Sequence, residues 1–240
     1  GLTEAEVSGA LLCLDVTERV VDEAITKGCN LIVALHPLIF RKLSHVTDAN
    51  YVQRTVIKAI KNDIVIVAMH TNLDAAFGGV NFKIAEKLRL RDVRFFGREK
   101  VVTNPLTDKK VTGGDGVIGC FDTPLAADDL ILLLKKEFDV ECVQANELLR
   151  RDIRTVALCG GSGSFLLQDA INAGADAFIT GEMGYHEFFG HEQEIQLCVI
   201  GHYQSEQYTT EVLRDVIERD CPGVKCCISE INTNPIVYFS

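Results

Sequence analysis

Short continuous apolar runs alternate along this chain with stretches in which apolar residues recur every three or four positions. The runs at 10–14, 31–35 and 64–69 are too short for buried helices and read as strands covered on both faces. Between them, 17–27, 51–61 and 80–88 carry the helical spacing, and a short strand is expected near 93–96. Thr17 reads as the N-cap of the first helix. Gly28 reads as its stop, since glycine takes the left-handed backbone that closes a helix. This succession of strand and helix predicts a parallel sheet with helices on its faces.

The rhythm breaks at 97–115, where Gly97, Asn104, Pro105, Gly113 and Gly114 read as a loop or linker. It resumes with strands at 117–121, 141–144, 155–158, 177–180 and 197–200. Helices are expected at 126–138, 165–173 and 204–218, and terminal strands at 225–230 and 236–239. The predicted architecture is α/β: a first lobe over 1–97, a linker over 98–115 and a second lobe over 116–240, both lobes forming one structural unit. An internal echo suggests that the lobes arose by duplication. Ala24-Ile25-x-x-Gly28-Cys29-Asn30-Leu31-Ile32-Val33 resembles Ala170-Ile171-x-x-Gly174-Ala175-Asp176-Ala177-Phe178-Ile179. Each copy is followed by a strand ending in His-x-x-x-acid: His70 with Asp74, and His202 with Glu206. Lobes facing each other would bring parallel and mixed sheets, flanked by helices, together at their strand ends. Open α/β sheets bind ligands there, so the metal site is expected between the lobes.

Composition narrows the function. A formal charge of −10 argues against a nucleic-acid surface, which needs clustered Lys and Arg to neutralise phosphates. No apolar run is long enough for a membrane span. The nine cysteines include no C-x-x-C pair, and most sit in apolar runs as small buried hydrophobes, a usage that fits a reducing compartment. With no signal-peptide pattern at the start, the expected location is the cytoplasm.

The chemistry-bearing residues cluster at strand ends: His36, His70 with Asp74, Glu182 with His186, and His202 with Glu206. A single histidine after an apolar strand is more often a capping or structural residue than a ligand. Asp74 alone could be a helix N-cap, and Glu206 a first-turn carboxylate. The constellation occurs twice, which favours ligation. Imidazole and carboxylate together suit zinc, manganese, iron, cobalt or nickel better than calcium or magnesium. One or two divalent ions are expected, a pair being about 3.5–4 Å apart if a carboxylate bridges them. Gly160-Gly161-Ser162-Gly163 joins a strand to a helix and could offer backbone N–H groups to an anion, though it matches no standard phosphate loop.

These motifs resemble the GTP cyclohydrolase I type 2 homologue family, the Ngg-interacting factor-like family of dinuclear metal proteins. The resemblance rests on Val33-Ala34-Leu35-His36-Pro37-Leu38-Ile39-Phe40, His70-Thr71-Asn72-Leu73-Asp74-Ala75-Ala76 with Gly79-Val80-Asn81, Gly160-Gly161-Ser162-Gly163, Thr180-Gly181-Glu182 with His186, and Gly201-His202-x-x-Ser205-Glu206. It implies a two-lobed α/β protein in a toroidal homohexamer, with metal ligands at His36, Asp74, His202 and Glu206. Glu206 would bridge the ions, and His70 would orient a ligand from behind. One departure stands out: the family carries two histidines before the proline, and this chain has Leu35 then His36. Leucine cannot coordinate, so one metal position lacks a nitrogen. The segment 97–115 is also too short for the domain that many relatives insert there.

Three functions compete. The first is a metal-dependent hydrolase acting on a nucleotide or another phosphate-containing small molecule, with Glu182 or His186 as general acid or base. The second is a non-catalytic metal-binding protein or metal chaperone, and the third a protein-interaction scaffold.

Overall fold

The computed structural model describes residues 1, 4–104 and 107–239. Pro105, read above as a loop marker, lies outside the described residues. By contacts the chain divides into two units: Gly1–Leu73 with Thr209–Ser240, and Asp74–Tyr208.

In the first unit the apolar runs become three neighbouring parallel strands, β1 (Ala10–Cys13), β2 (Leu31–Ala34) and β3 (Val65–Ala68). Helix α1 (Glu18–Lys27) crosses from β1 to β2. The Thr17 hydroxyl accepts from the Val20 N–H, and Gly28 ends the helix at φ 69°. Helix α2 (Tyr51–Lys61) crosses to β3, capped by the Asn50 side chain. The five-residue helix α3 (His70–Asp74) follows β3 and spans the boundary of the units. The chain returns to the first unit as α8 (Thr209–Asp220) and β10 (Cys226–Ile228). Strand β10 lies parallel to β1, so the order is β10-β1-β2-β3. Leu11, Val20, Val21, Ala24, Ile32 and Ala34 form its fully buried core.

The second unit is a six-stranded mixed sheet, taken here in chain order. Helix α4 (Val80–Lys87) leads into the hairpin β4 (Arg91–Thr103) and β5 (Lys110–Leu125). Then come α5 (Ala127–Glu137), the short β6 (Gln144–Ala145), β7 (Ile153–Cys159), α6 (Leu167–Asn172), β8 (Ala177–Thr180), β9 (Gln196–Val199) and the five-residue α7 (His202–Glu206). The strand order is β4-β5-β7-β8-β9-β6, with β7, β8 and β9 parallel and the outer pairs antiparallel. Phe178, Leu197, Ala157 and Ala170 are fully buried at its centre.

The observed fold is therefore α/β with a parallel sheet and a mixed sheet, flanked by helices, as expected. Individual elements differ. Most of 97–115, read as loop, belongs to the β4–β5 hairpin, whose outer arms pair Val101 with Thr112 and Val102 with Val111. Its exposed, mixed polar and apolar residues give no buried-strand pattern, and that is why it reads as loop. Residues 236–239 read as a strand but pair with none. The helix expected over 204–218 breaks after Glu206 and restarts at Thr209.

Asp176 shows how a single carboxylate fixes the start of a strand. It accepts from the N–H groups of Arg154 (3.0 Å) and Thr155 (2.8 Å), and its other oxygen pairs with Arg151. Burial alone would push its carboxyl up, but these donors outweigh that and hold it below its ordinary value. A depressed folded-state value means stability that is present above the ordinary carboxylate range and lost as pH falls through the folded value. Asp176→Ala is expected to cost about 2–3 kcal/mol at pH 7, from charged hydrogen bonds lost to a half-buried group. Urea unfolding at pH 7 and at pH 3 checks this, since the gap between variant and wild type narrows at the lower pH.

Candidate metal centre

The two histidine–acid motifs fold alike. Each becomes a five-residue helix directly after a strand of a parallel pair, beginning at the histidine and ending at the acid: His70 to Asp74, and His202 to Glu206. One helical turn brings positions i and i+4 onto one side. His202 Nε2 thereby lies 3.2 Å from Glu206 Oε2, and the Glu206 side chain is only 6% exposed.

Around this pair the second unit builds a braced shell. Glu182, just beyond β8, puts Oε1 2.8 Å from His202 Nδ1, and Ser162 Oγ donates to its other oxygen. Ser162 holds the Glu182 carboxyl below its ordinary value, with the nearby His202 adding to the effect against partial burial. Glu206 pushes His202 up to about 9. Burial opposes this and Glu182 reinforces it. The Gly160–Gly163 loop is tied down from several sides. Gly160 N–H donates to Asn81 Oδ1 (2.8 Å), Gly161 N–H to Ser205 Oγ (2.9 Å), and Gly163 N–H to Thr180 Oγ1 (3.0 Å). Three N–H groups of the loop are thus engaged within the protein. Gly161 (φ 60°) passes so close that a Cβ there would lie 2.5 Å from Glu206 Oε1 and 3.3 Å from His202 Nε2.

Asp74 is half-buried. Its backbone oxygen accepts from the Asn81 amide, the same side chain that holds Gly160. Beneath the loop, burial pushes the Cys159 thiol up to about 12, and the carboxylates of Asp74, Asp115 and Glu206 add to it. Asp74 and Glu206 therefore act on one buried thiol, an acidic surrounding that suits a cation. Such a thiol is not a nucleophile.

In the first unit, His36 leaves the end of β2, its N–H donating to Leu14 O. Its Nδ1 lies 2.9 Å from Asp15 Oδ1. His70 packs edge-on against the His36 ring at 5.5 Å, and against Phe40 at 5.8 Å. Leu35 is fully buried. His186 sits exposed on the turn after Glu182, its ring against Tyr185 and Phe189. Asp15 escaped the sequence reading. Its only signal is an acid directly after the first strand, which reads equally as a helix-preceding polar residue.

Among the described residues, His36, His202 and Glu206 form a group that could hold a metal ion, one ligand atom from each lying within 4.8 Å of the others. The donor chemistry fits. Two imidazoles and a buried carboxylate are what a borderline divalent cation takes, and the glycine at 161 keeps the space beside them clear.

Comparison with known proteins identifies the family of the chain. The family model for Duf34/NIF3 (NGG1p interacting factor 3) matches residues 1–235. A GTP cyclohydrolase 1 type 2 homolog of Clostridium perfringens is 32% identical over the whole chain and 89% of its own length. NIF3-like protein 1 of Drosophila melanogaster is 28% identical, over 98% of this chain and 78% of its own. The crystal structure of a hypothetical protein of Staphylococcus aureus superposes with a TM-score of 0.88 at 27% identity, covering 100% of this chain and 90% of that one. A Bacillus cereus protein related to NIF3 gives 0.82 at 24% identity. The chain belongs to the Duf34/NIF3 family.

Proposed function

We propose that this chain is a divalent-metal-binding hydrolase acting on a nucleotide or another phosphate-containing small molecule, with His36, Asp74, His202 and Glu206 as its metal ligands. The observation that carries the reading is the His36–His202–Glu206 group, with Glu206 buried against an imidazole that a second carboxylate already holds. A divalent ion bound by these donors would supply Lewis acidity and acidify a water toward neutral pH.

The chain's own residues do the rest. Glu182 fixes the His202 ring through Nδ1, so that Nε2, beside Glu206, would meet the ion, and His70 packs against His36. Proton transfer falls to Glu182 or to the exposed His186. Since Gly160, Gly161 and Gly163 give their N–H groups to the protein, contact with a substrate anion at this loop centres on Ser162. Relatives named GTP cyclohydrolase 1 type 2 homolog support a nucleotide as substrate. The resemblance also supports a toroidal homohexamer of two duplicated lobes working in the cytoplasm. No helix among the described residues is long and apolar enough to cross a membrane.

A second reading, a non-catalytic metal carrier, is favoured by the buried Leu35 where the family has a histidine. Turnover decides between the two. A panel of nucleoside triphosphates and phosphate esters, assayed with added zinc, manganese or cobalt, is expected to yield hydrolysis that vanishes in His202→Ala/Glu206→Ala. Tight metal binding with no turnover of any member, or turnover surviving in the double variant, goes against the hydrolase.

A further inference from the structure

We propose that Asp15 is a positioning residue for the metal ligand His36, and that the C-terminal segment, through Thr233, holds Asp15 in that role. The inference rests on the metal reading above and extends it to residues outside the ligand motifs.

An imidazole that coordinates through one nitrogen is oriented by what its other nitrogen donates to. A carboxylate there fixes both the tautomer and the ring plane. His36 meets this condition through Nδ1, 2.9 Å from Asp15 Oδ1. A carboxylate free to rotate would orient a ring poorly, but Asp15 is tethered. Thr233 Oγ1 donates to its other oxygen at 2.7 Å, across 218 positions of sequence.

Thr233 reaches that point because the segment after β10 is docked along the first unit. Ser229 N–H donates to Leu12 O at 2.8 Å. The Glu23 carboxylate accepts from the Ser229 hydroxyl and from the Glu230 N–H. Lys27 bridges Glu23 and Glu230 at 2.8 and 2.9 Å, and Ile231 packs on the core. The second unit contains the same order of groups, hydroxyl to carboxylate to imidazole, in Ser162–Glu182–His202. Both histidines of the His36–His202–Glu206 group thus have Nδ1 occupied by a carboxylate whose other oxygen is held by a hydroxyl. An ion taken by either histidine would then be met through Nε2, which in His202 already faces Glu206. The tail beyond β10 forms no helix or strand among the described residues, yet it brings Thr233 to Asp15.

The test uses the full chain and zinc, titrated against a chromophoric chelator, with nitrogen-15 NMR reporting the His36 tautomer in the metal-free protein. Asp15→Ala is expected to weaken zinc binding about 10–100-fold, as loss of a ligand's supporting partner does elsewhere. It should also turn His36 from the Nδ1–H form into a mixture of tautomers. Thr233→Val should shift both readouts in the same direction by less, and Thr233→Ser, which keeps the hydroxyl, should restore both. Thermal melting shows whether each variant is folded. If Asp15→Ala is not, Asp15→Asn and the Thr233 pair carry the test. Zinc affinity and tautomer unchanged in Asp15→Ala or Asp15→Asn and in Thr233→Val, alongside weakened binding in His36→Ala, overturn this assignment alone. A wild-type chain that binds no zinc overturns the metal reading beneath it.

Discussion

The double variant His202→Ala/Glu206→Ala is expected to lose specific divalent-metal binding while keeping its fold. These two side chains supply an imidazole and the buried carboxylate, 3.2 Å apart on one turn of α7. Removing a supporting partner typically costs 10–100-fold in affinity, so removing two ligands should cost well over about 100-fold. Elemental analysis after dialysis measures it, with circular dichroism as the control for folding. The pH dependence of the wild type belongs to the same prediction. In the metal-free chain Glu206, with Glu182 assisting, keeps His202 protonated up to about pH 9. An incoming cation must displace that proton, so zinc affinity should climb about tenfold per pH unit from 7 toward 9 and then flatten. The protonated pair stabilises the metal-free fold with the opposite sign: its contribution is complete below the ordinary histidine value and lost as pH rises through about 9. A wild-type affinity flat between pH 7 and 9 would mean that His202 is not a ligand.

Gly161→Ala should damage the same site without touching a ligand. The added methyl group would sit 2.5 Å from Glu206 Oε1, closer than nonbonded atoms tolerate, and Glu206 is too buried to swing into solvent. The backbone at Gly161 has φ 60°, where an L residue costs about 1–2 kcal/mol more than glycine. The expected result is a loss of about 1–2 kcal/mol in urea unfolding, together with metal binding weakened about as far as in a single ligand variant. Stability lost with binding intact would place the ion away from Glu206.

Much of this was legible in the sequence because short-range chemistry determined it. Thr17 and Gly28 mark the ends of α1 by hydrogen bonding and backbone freedom that no tertiary contact overrides. The spacing of His202 and Glu206 fixes their proximity once a helix forms. Asn30 and Asp176, at matching positions, each accept a backbone N–H from the segment leading into a neighbouring strand, Ser8 for one and Arg154 with Thr155 for the other. What escaped is what depends on distant residues. The outer β4–β5 hairpin is exposed, so no burial pattern announces it. Asp15 acquires its meaning only when Thr233 and His36 arrive beside it, and neither is near it in sequence. The Gly160–Gly163 loop reads as a cradle for an anion. Asn81, Ser205 and Thr180, which bind its N–H groups, come from three separate elements.

The most direct measurement is crystallographic: diffraction from crystals grown with zinc, collected on both sides of the zinc absorption edge. The expected result is an anomalous peak bonded to His36, His202 and Glu206 at about 2.0–2.2 Å, the usual zinc–nitrogen and zinc–oxygen distance, with Asp74 on the same ion or its neighbour. Zinc found only at other residues, with these side chains as in the metal-free protein, would contradict it.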